Sequence, residues 1–167
     1  MAYTKNMNQL NKNIELAEKH CKEKGERLTQ KRKLVLLALL DSKKAISAYE
    51  LVEYCKQHYN ETISAMSVYR ILDFLQEQGL AHKLGLANKF VACSHVVCQY
   101  KHQISQFLIC DQCQGVEEIN IDPLALKDLQ TLIKKTGFHL SSPQLEINGV
   151  CEKCFSAENP KDTNKKI

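Results

Sequence analysis

Two pairs of cysteines constrain this chain more than any other feature of its sequence. Each pair has CxxC spacing, and 37 residues separate the first pair from the second. A CxxC turn lets two thiolates converge on one ion at about 2.3 Å each, and two such turns complete a closed tetrahedral zinc site. Such a zinc can contribute on the order of 10 kcal/mol to the folding of a small domain. The spacing therefore predicts a structural zinc held by Cys110, Cys113, Cys151 and Cys154.

The expected cellular compartment supports metal over disulfides. The chain has 167 residues and eight cysteines, and its first apolar run, residues 34–40, is too short to cross a bilayer. We therefore expect a cytoplasmic protein that makes no membrane contact and keeps its thiols reduced. A redox pair is the alternative interpretation of CxxC. However, a thioredoxin-type motif needs only one such pair and normally opens a helix.

The first half of the chain has the pattern of helices followed by a hairpin. Apolar spacing predicts four helices, over about 8–24, 29–40, 47–58 and 64–78. We expect the Thr29 hydroxyl to cap the second helix, and Ser47 and Glu50 to form a capping box on the third. Residues 80–84 and 89–93 predict a short β-hairpin. Helices followed by a small hairpin indicate a winged helix-turn-helix, in which the fourth helix is the recognition helix.

The second half predicts a small domain of strands and one helix. Strands are expected over about 104–110, 116–121 and 144–150, with a helix that Asp122 and Pro123 open. The fold class is therefore α+β, a winged helix followed by a small α/β domain with the four-cysteine zinc. We divide the chain into a DNA-binding domain (1–92), a hinge (93–103), a zinc-binding domain (104–158) and a disordered tail (159–167).

The distribution of charge favours the first half as the part that binds DNA. Lys and Arg outnumber Asp and Glu by 14 to 10 in residues 1–85, whereas the numbers are 9 and 9 in the remainder. Arg70 lies on the predicted outer face of the recognition helix, where a guanidinium can bind guanine O6 and N7 in the major groove. Arg27, Lys31 and Arg32 are predicted phosphate contacts, which position the protein without reading sequence.

A second group of potential metal ligands lies between the hairpin and the first CxxC turn, with one member just beyond that turn. Nitrogen, sulfur and oxygen ligands from separate elements suit a zinc site whose formation depends on the arrangement of the chain, as a sensor requires. The residues alone do not select four ligands from the six candidates, which are His82, Cys93, His95, Cys98, His102 and Glu118.

Several motifs together resemble the ferric uptake regulator superfamily, and within it the zinc uptake regulator branch. The motifs are RLTQKR, ISAYEL, SVYRILDFLQEQGLAHK, VAC, ICDQC with the following VEE, and the later CEKC. The resemblance covers roughly residues 10–155, with Gln30 where the family usually has proline. It implies a dimeric winged-helix repressor with a structural four-cysteine zinc and a regulatory metal site at the hinge.

The resemblance also implies roles for individual residues. It points to Tyr49 and Tyr69 as DNA contacts, and it implies two zinc ions per subunit. The iron and peroxide branches have an HHDH-like segment before the first CxxC turn, where this chain has YKHQISQF. Thiolate from Cys93 favours zinc over an iron site with hard ligands. The implied regulatory zinc ligands are His82, Cys93, His102 and Glu118, with His95 as the rival to His102 and a third metal site at His95 and Cys98 left open.

The expected function is a zinc-responsive transcriptional repressor. It would bind palindromic operator DNA as a zinc-loaded homodimer and control zinc-uptake genes. The alternative is an iron- or peroxide-sensing regulator of the same superfamily. The sequence has no HExxH, no zinc-deaminase signature and no nucleophile elbow, so we expect neither catalysis nor a small-molecule substrate. A zinc-ribbon adaptor for protein or RNA would leave the winged-helix half unexplained.

Overall fold

The computed structural model describes residues 2–85, 88–93, 106–140, 142 and 144–158. It divides the chain into two units, residues 1–99 and 100–167. The predicted hinge beyond Cys93, with His95, Cys98 and His102, and the predicted tail lie outside the described residues. Among the residues described, no helix has the length and apolar character needed to span a membrane.

The first unit contains four helices followed by a two-stranded antiparallel hairpin. The pairing of the hairpin places His82 opposite Val91. This arrangement confirms the winged helix-turn-helix that the sequence predicts. The elements are α1 (Ala2–Glu23), α2 (Gln30–Ser42), α3 (Ala48–Tyr59), α4 (Ala65–Glu77), β1 (Ala81–Leu84) and β2 (Lys89–Ala92).

Helix α4 packs one apolar face into the core of the first unit. The face consists of residues at positions i, i+3, i+4 and i+7, as predicted for an amphipathic helix. Phe74 joins them in the core, while Arg70 and Asp73 are exposed. Burial of one face fixes which side chains α4 presents outward. The predicted core residues, all buried, are Val68, Ile71, Leu72 and Leu75.

The start of α3 is held by the predicted capping box and by the wing. Ser47 Oγ accepts a hydrogen bond from the Glu50 amide at 3.2 Å, and Glu50 Oε2 accepts one from the Ser47 amide at 2.7 Å. The Ser47 N–H lowers the pKa of the Glu50 carboxyl. Lys89 of β2 lies 3.6 Å from Glu50, and Ile46 forms an antiparallel bridge with Phe90. The chain before α3 therefore adds a third, unpredicted segment to the hairpin.

The predicted cap of α2 is wrong in one respect. Thr29 occupies the N-cap position, but its side chain makes no capping hydrogen bond. Arg32 instead reaches back and donates to the Arg27 carbonyl at 2.6 Å. Threonine is a weaker N-cap than serine or aspartate, and here the guanidinium holds the turn before the helix.

The second unit contains a three-stranded sheet in the order β4-β3-β5. The central strand β3 (Gln106–Cys110) pairs antiparallel with β4 (Val116–Ile119) and parallel with β5 (Glu146–Gly149). Helix α5 (Pro123–Lys135) connects β4 to β5, and Asp122 caps it as predicted by accepting from two backbone amides. A short helix, α6 (Glu152–Glu158), follows β5 and was not predicted.

Helix α5 leaves its apolar stripe exposed. Leu124 is 71% exposed and Leu132 59% exposed, and none of the residues of α5 is buried. The buried residues described in the second unit all lie on β3. So small an apolar core supplies little folding free energy, and a domain below about 70–80 residues with a weak core often relies on a metal or a partner chain.

Candidate metal centre and DNA interface

The sheet of the second unit brings the two CxxC turns together. Strands β3 and β5 are parallel, and Cys110 at the end of β3 pairs with Gly149 at the end of β5. Parallel strands that are in register end at the same edge of the sheet. The first turn therefore begins where β3 ends, and Cys151 follows β5 two residues after Gly149.

The four sulfur atoms lie at the separations that a zinc ion requires. The sulfurs of Cys110, Cys113, Cys151 and Cys154 are all within 4.8 Å of one another. Cys113 Sγ and Cys151 Sγ are 3.8 Å apart. Four sulfurs that each lie about 2.3 Å from a central ion are about 3.8 Å apart in a tetrahedron. The donor set and its geometry therefore fit zinc.

A tight turn shapes the first CxxC pair. The Gln114 amide donates to the Cys110 carbonyl, and the Cys110 amide donates to the Gly115 carbonyl, each at 2.9 Å. Gln114 has a left-handed backbone with a φ of 59°. A Cβ on Gly115 would lie 3.2 Å from Cys113 Sγ. Sequence reasoning missed Gly115, although a glycine two residues after a CxxC pair was a signal for this close approach.

Ionisation of the thiols also favours a cation at this position. Backbone N–H groups, first that of Cys113 and then that of Cys151, lower the pKa of the Cys110 thiol to about 6. The neighbouring Cys151 side chain and burial raise the pKa of Cys154 to about 12. Thiolates this close repel one another, so they cannot all ionise unless a positive charge lies between them. A bound Zn²⁺ would supply that charge.

The second CxxC pair lies at the start of a helix. A thioredoxin-type redox pair normally occupies this position, so the redox interpretation has to be considered again. Cys151 directly precedes α6, and Cys154 lies in its first turn. The Cys154 amide donates to the Cys151 carbonyl at 3.0 Å. Position at a helix start does not favour a redox pair over a zinc site here, because the thiols of both CxxC pairs converge on one point. A redox motif needs only one pair.

Two of the predicted regulatory ligands lie together in the first unit. The nearest ligand atoms of His82, on β1, and Cys93, directly after β2, are within 4.8 Å of each other. Cys93 is buried, and its amide donates to the Leu80 carbonyl at 3.0 Å. In the second unit, Glu118 lies half-buried on β4. His102 and its rival His95 fall outside the described residues.

The outer face of α4 presents Arg70, the predicted base-reading residue, and the two tyrosines predicted to contact DNA lie beside it. Arg70 is exposed. Tyr69 is half-buried against the core, and Tyr49 from the first turn of α3 is 67% exposed. The two tyrosine rings meet edge to face with centroids 6.3 Å apart. The contact holds Tyr49 beside the exposed face of the recognition helix.

The three predicted phosphate contacts differ in their surroundings. Arg27 and Lys31 are exposed. The guanidinium of Arg32 lies 3.4 Å from the centre of the Phe74 ring and 4.0 Å from Glu26. Arg32 therefore links α2 to the recognition helix, in addition to holding the turn at Arg27.

We expect Arg32→Gln to destabilise the first unit by about 1–2 kcal/mol, because it removes a cation–π contact and a charged hydrogen bond. Lys31→Gln is the matched control, since it removes an exposed charge from the same helix. We expect it to leave the melting temperature unchanged. The slope of log DNA affinity against log salt concentration should become shallower by about one. Equal melting temperatures for the two variants would contradict this role of Arg32.

Comparisons with known proteins point to one family. Residues 23–148 match the model of the ferric uptake regulator family. The zinc uptake regulation protein of Escherichia coli (strain K12) is 37% identical over 143 residues, 85% of this chain and 81% of that protein. The ferric uptake regulation protein of Synechococcus elongatus is 32% identical over 136 residues, 79% of this chain and 88% of that protein.

Two solved structures are also similar to this chain. A zinc uptake regulator complexed with zinc and DNA is 32% identical, with a TM-score of 0.74, and the match covers 89% of this chain and 97% of that one. Holo XcZur is 36% identical, with a TM-score of 0.70, and the match covers 87% and 99%.

The winged helix, the four-cysteine cluster that could hold zinc and the similarity to uptake regulators together define a metal-responsive, DNA-binding transcription regulator rather than an enzyme. The chain belongs to the ferric uptake regulator family.

Proposed function

We propose that this protein is a zinc-responsive repressor that acts in the cytoplasm and controls genes for zinc uptake. The observation that carries the proposal is the buried Cys93 thiol beside His82. Thiolate and imidazole together suit zinc, whereas carboxylate-rich sites suit harder ions. The similarity to zinc uptake regulators over most of the chain supports the same metal.

The proposed regulatory zinc has four ligands, and with the four-cysteine zinc it makes two ions per subunit. With four protein ligands, the regulatory ion would have no open position for catalysis. The ligands come from separate elements of the chain. Their shared ion therefore favours one arrangement of the chain over others, which links zinc binding to DNA binding. The proposed ligands are His82, Cys93, His102 and Glu118.

We further propose that the second unit forms a homodimer through the exposed stripe of α5. Leu124, Leu129 and Leu132 are exposed along this helix, and apolar side chains grouped on one surface mark a protein–protein interaction site. A two-fold dimer presents two recognition helices related by symmetry, which matches a palindromic operator.

The test of the proposed function is selection of duplex DNA by the zinc-loaded protein from a random pool. We expect an inverted repeat to be enriched with zinc and none to be enriched after zinc is chelated. Arg70→Ala should weaken binding to the selected duplex about 10- to 100-fold and relax the preference at one base pair of each half-site.

Glu77→Gln is the control for this variant, because Glu77 lies at the exposed C-terminal end of the same helix. It should keep the preference of the wild type. Selection of no duplex at any zinc level would refute the proposal.

A further inference from the structure

Two exposed apolar side chains stand out in the first unit. Among its described residues, the large apolar side chains that are exposed are those of Tyr49, at 67%, and Met66, at 65%. Both occur in the first turn of a helix, Tyr49 in α3 and Met66 in α4. The other large apolar side chains described in this unit are buried or half-buried. Sequence reasoning assigned no role to Met66.

Met66 shares the outer face of α4 with the residues proposed to bind DNA. Residues three and four apart on a helix lie on the same face, so Met66 is a neighbour of Tyr69 and Arg70. Tyr69 in turn contacts the Tyr49 ring. The opposite face, with Val68 and Leu72, is fully buried. Met66 therefore extends the exposed face toward the N-terminus of the recognition helix.

The backbone that carries Met66 is held in place. The Ser67 amide donates to Ser64 Oγ at 3.3 Å, and the hydroxyls of Ser64 and Ser67 are 2.9 Å apart. This cap orders the first turn of α4. The N-terminal residues of a recognition helix are those that contact base edges in the major groove. Met66 thus lies at the position on the helix from which base edges are reached.

The chemistry of the Met66 side chain limits the groups on DNA that it can recognise. A thioether is apolar and polarizable, and it donates no hydrogen bond. In the major groove, the base edges carry hydrogen-bonding groups, and the C5-methyl group of thymine is their one methyl group. Of the groups available in the groove, the thymine methyl is the one that matches a methionine side chain.

We propose that Met66 is a specificity-determining residue that contacts the C5-methyl group of a thymine near the base read by Arg70. This inference rests on the proposed function, because it requires duplex DNA on the outer face of α4. Burial of one methyl group against an apolar side chain changes an equilibrium constant about fourfold. In a two-fold dimer, the effect applies once in each half-site.

The test compares thymine with uracil, which lacks only the methyl group. The duplex that the zinc-loaded wild type selects is synthesised with each thymine in turn replaced by uracil in both half-sites. We expect one position at which uracil weakens wild-type binding by about 4- to 16-fold. Met66→Ala should bind the thymine duplex more weakly by the same factor and lose the difference between thymine and uracil at that position.

Met66→Leu is the matched control, since it keeps an apolar side chain of similar size. It should retain the difference between thymine and uracil. All three proteins should melt at the same temperature, because Met66 is exposed and alanine and leucine both favour helices.

Two results overturn the inference while duplex binding itself stands. In one, no uracil substitution weakens wild-type binding. In the other, Met66→Ala keeps every uracil effect of the wild type. Failure of the wild type to select any duplex would overturn the proposed function and this inference together.

Discussion

Replacing Cys113 with serine is expected to remove the four-thiolate zinc and unfold the second unit. A serine hydroxyl is a poor zinc ligand, and the zinc can supply on the order of 10 kcal/mol to folding. The described residues of this unit bury little apart from β3, so little else would hold it together. Elemental analysis should show at least one zinc fewer per subunit, and the β3 amides should lose protection from hydrogen exchange.

Cys113 suits this experiment because its side chain is exposed, so the substitution disturbs no packed core. Cys55→Ala is the control, since Cys55 is a buried cysteine in the core of the first unit. It should keep the full zinc content and the protection of β3. If Cys113→Ser retains the zinc content of the wild type and a folded second unit, the four cysteines do not hold a structural ion.

Replacing Cys93 with serine is expected to abolish zinc-dependent DNA binding while leaving the four-thiolate zinc in place. The substitution removes the one thiolate of the proposed regulatory set. Coupling between two binding sites is typically worth 5- to 150-fold in affinity. We therefore expect operator binding about 100-fold weaker in a mobility-shift titration at a zinc level that saturates the wild type.

Cys21→Ser is the matched control for this variant. Cys21 is also a buried cysteine of the first unit, in the helix α1, and it belongs to neither proposed zinc site. It should keep the zinc response, and both variants should keep the four-thiolate zinc. Normal operator binding by Cys93→Ser would show that Cys93 is not a ligand of the sensor.

The sequence predicted those features that local patterns determine. The capping box at Ser47, the buried face of α4 and the Asp122 cap of α5 each depend on residues within one or two helical turns. The four-cysteine cluster was also predictable, because CxxC spacing brings two ligands together in any turn. The helix features need no knowledge of distant contacts, whereas the meeting of the two CxxC pairs depends on the pairing of β3 with β5.

Other features depend on contacts between residues far apart in the chain, and the sequence did not predict them. The bridge between Ile46 and Phe90 and the ion pair of Glu50 with Lys89 join the start of α3 to the wing. The role of Arg32 beside Phe74 is of the same kind, since an arginine in a basic segment is equally compatible with phosphate contact. Helix α6 was missed because seven residues carry too short a pattern.

The regulatory ligands are the part of the site that the sequence and the structure determine least. Six candidates occur between residues 82 and 118, and their spacing has no repeat that would select four. The structure brings His82 and Cys93 together within the first unit. The choice of all four ligands, with His102 and Glu118 as the other two, came from the resemblance and stays a prediction.

The most direct test of the account is a titration of DNA binding against free metal. Wild-type protein is treated with a chelator until one zinc per subunit remains, and fluorescence anisotropy of the selected duplex is followed under buffered Zn²⁺ or, without oxygen, under Fe²⁺. We predict that zinc restores binding as the second ion is taken up and that Fe²⁺ at the same free concentration does not. Binding that is indifferent to zinc, or that Fe²⁺ restores in full, would contradict a zinc-responsive regulator.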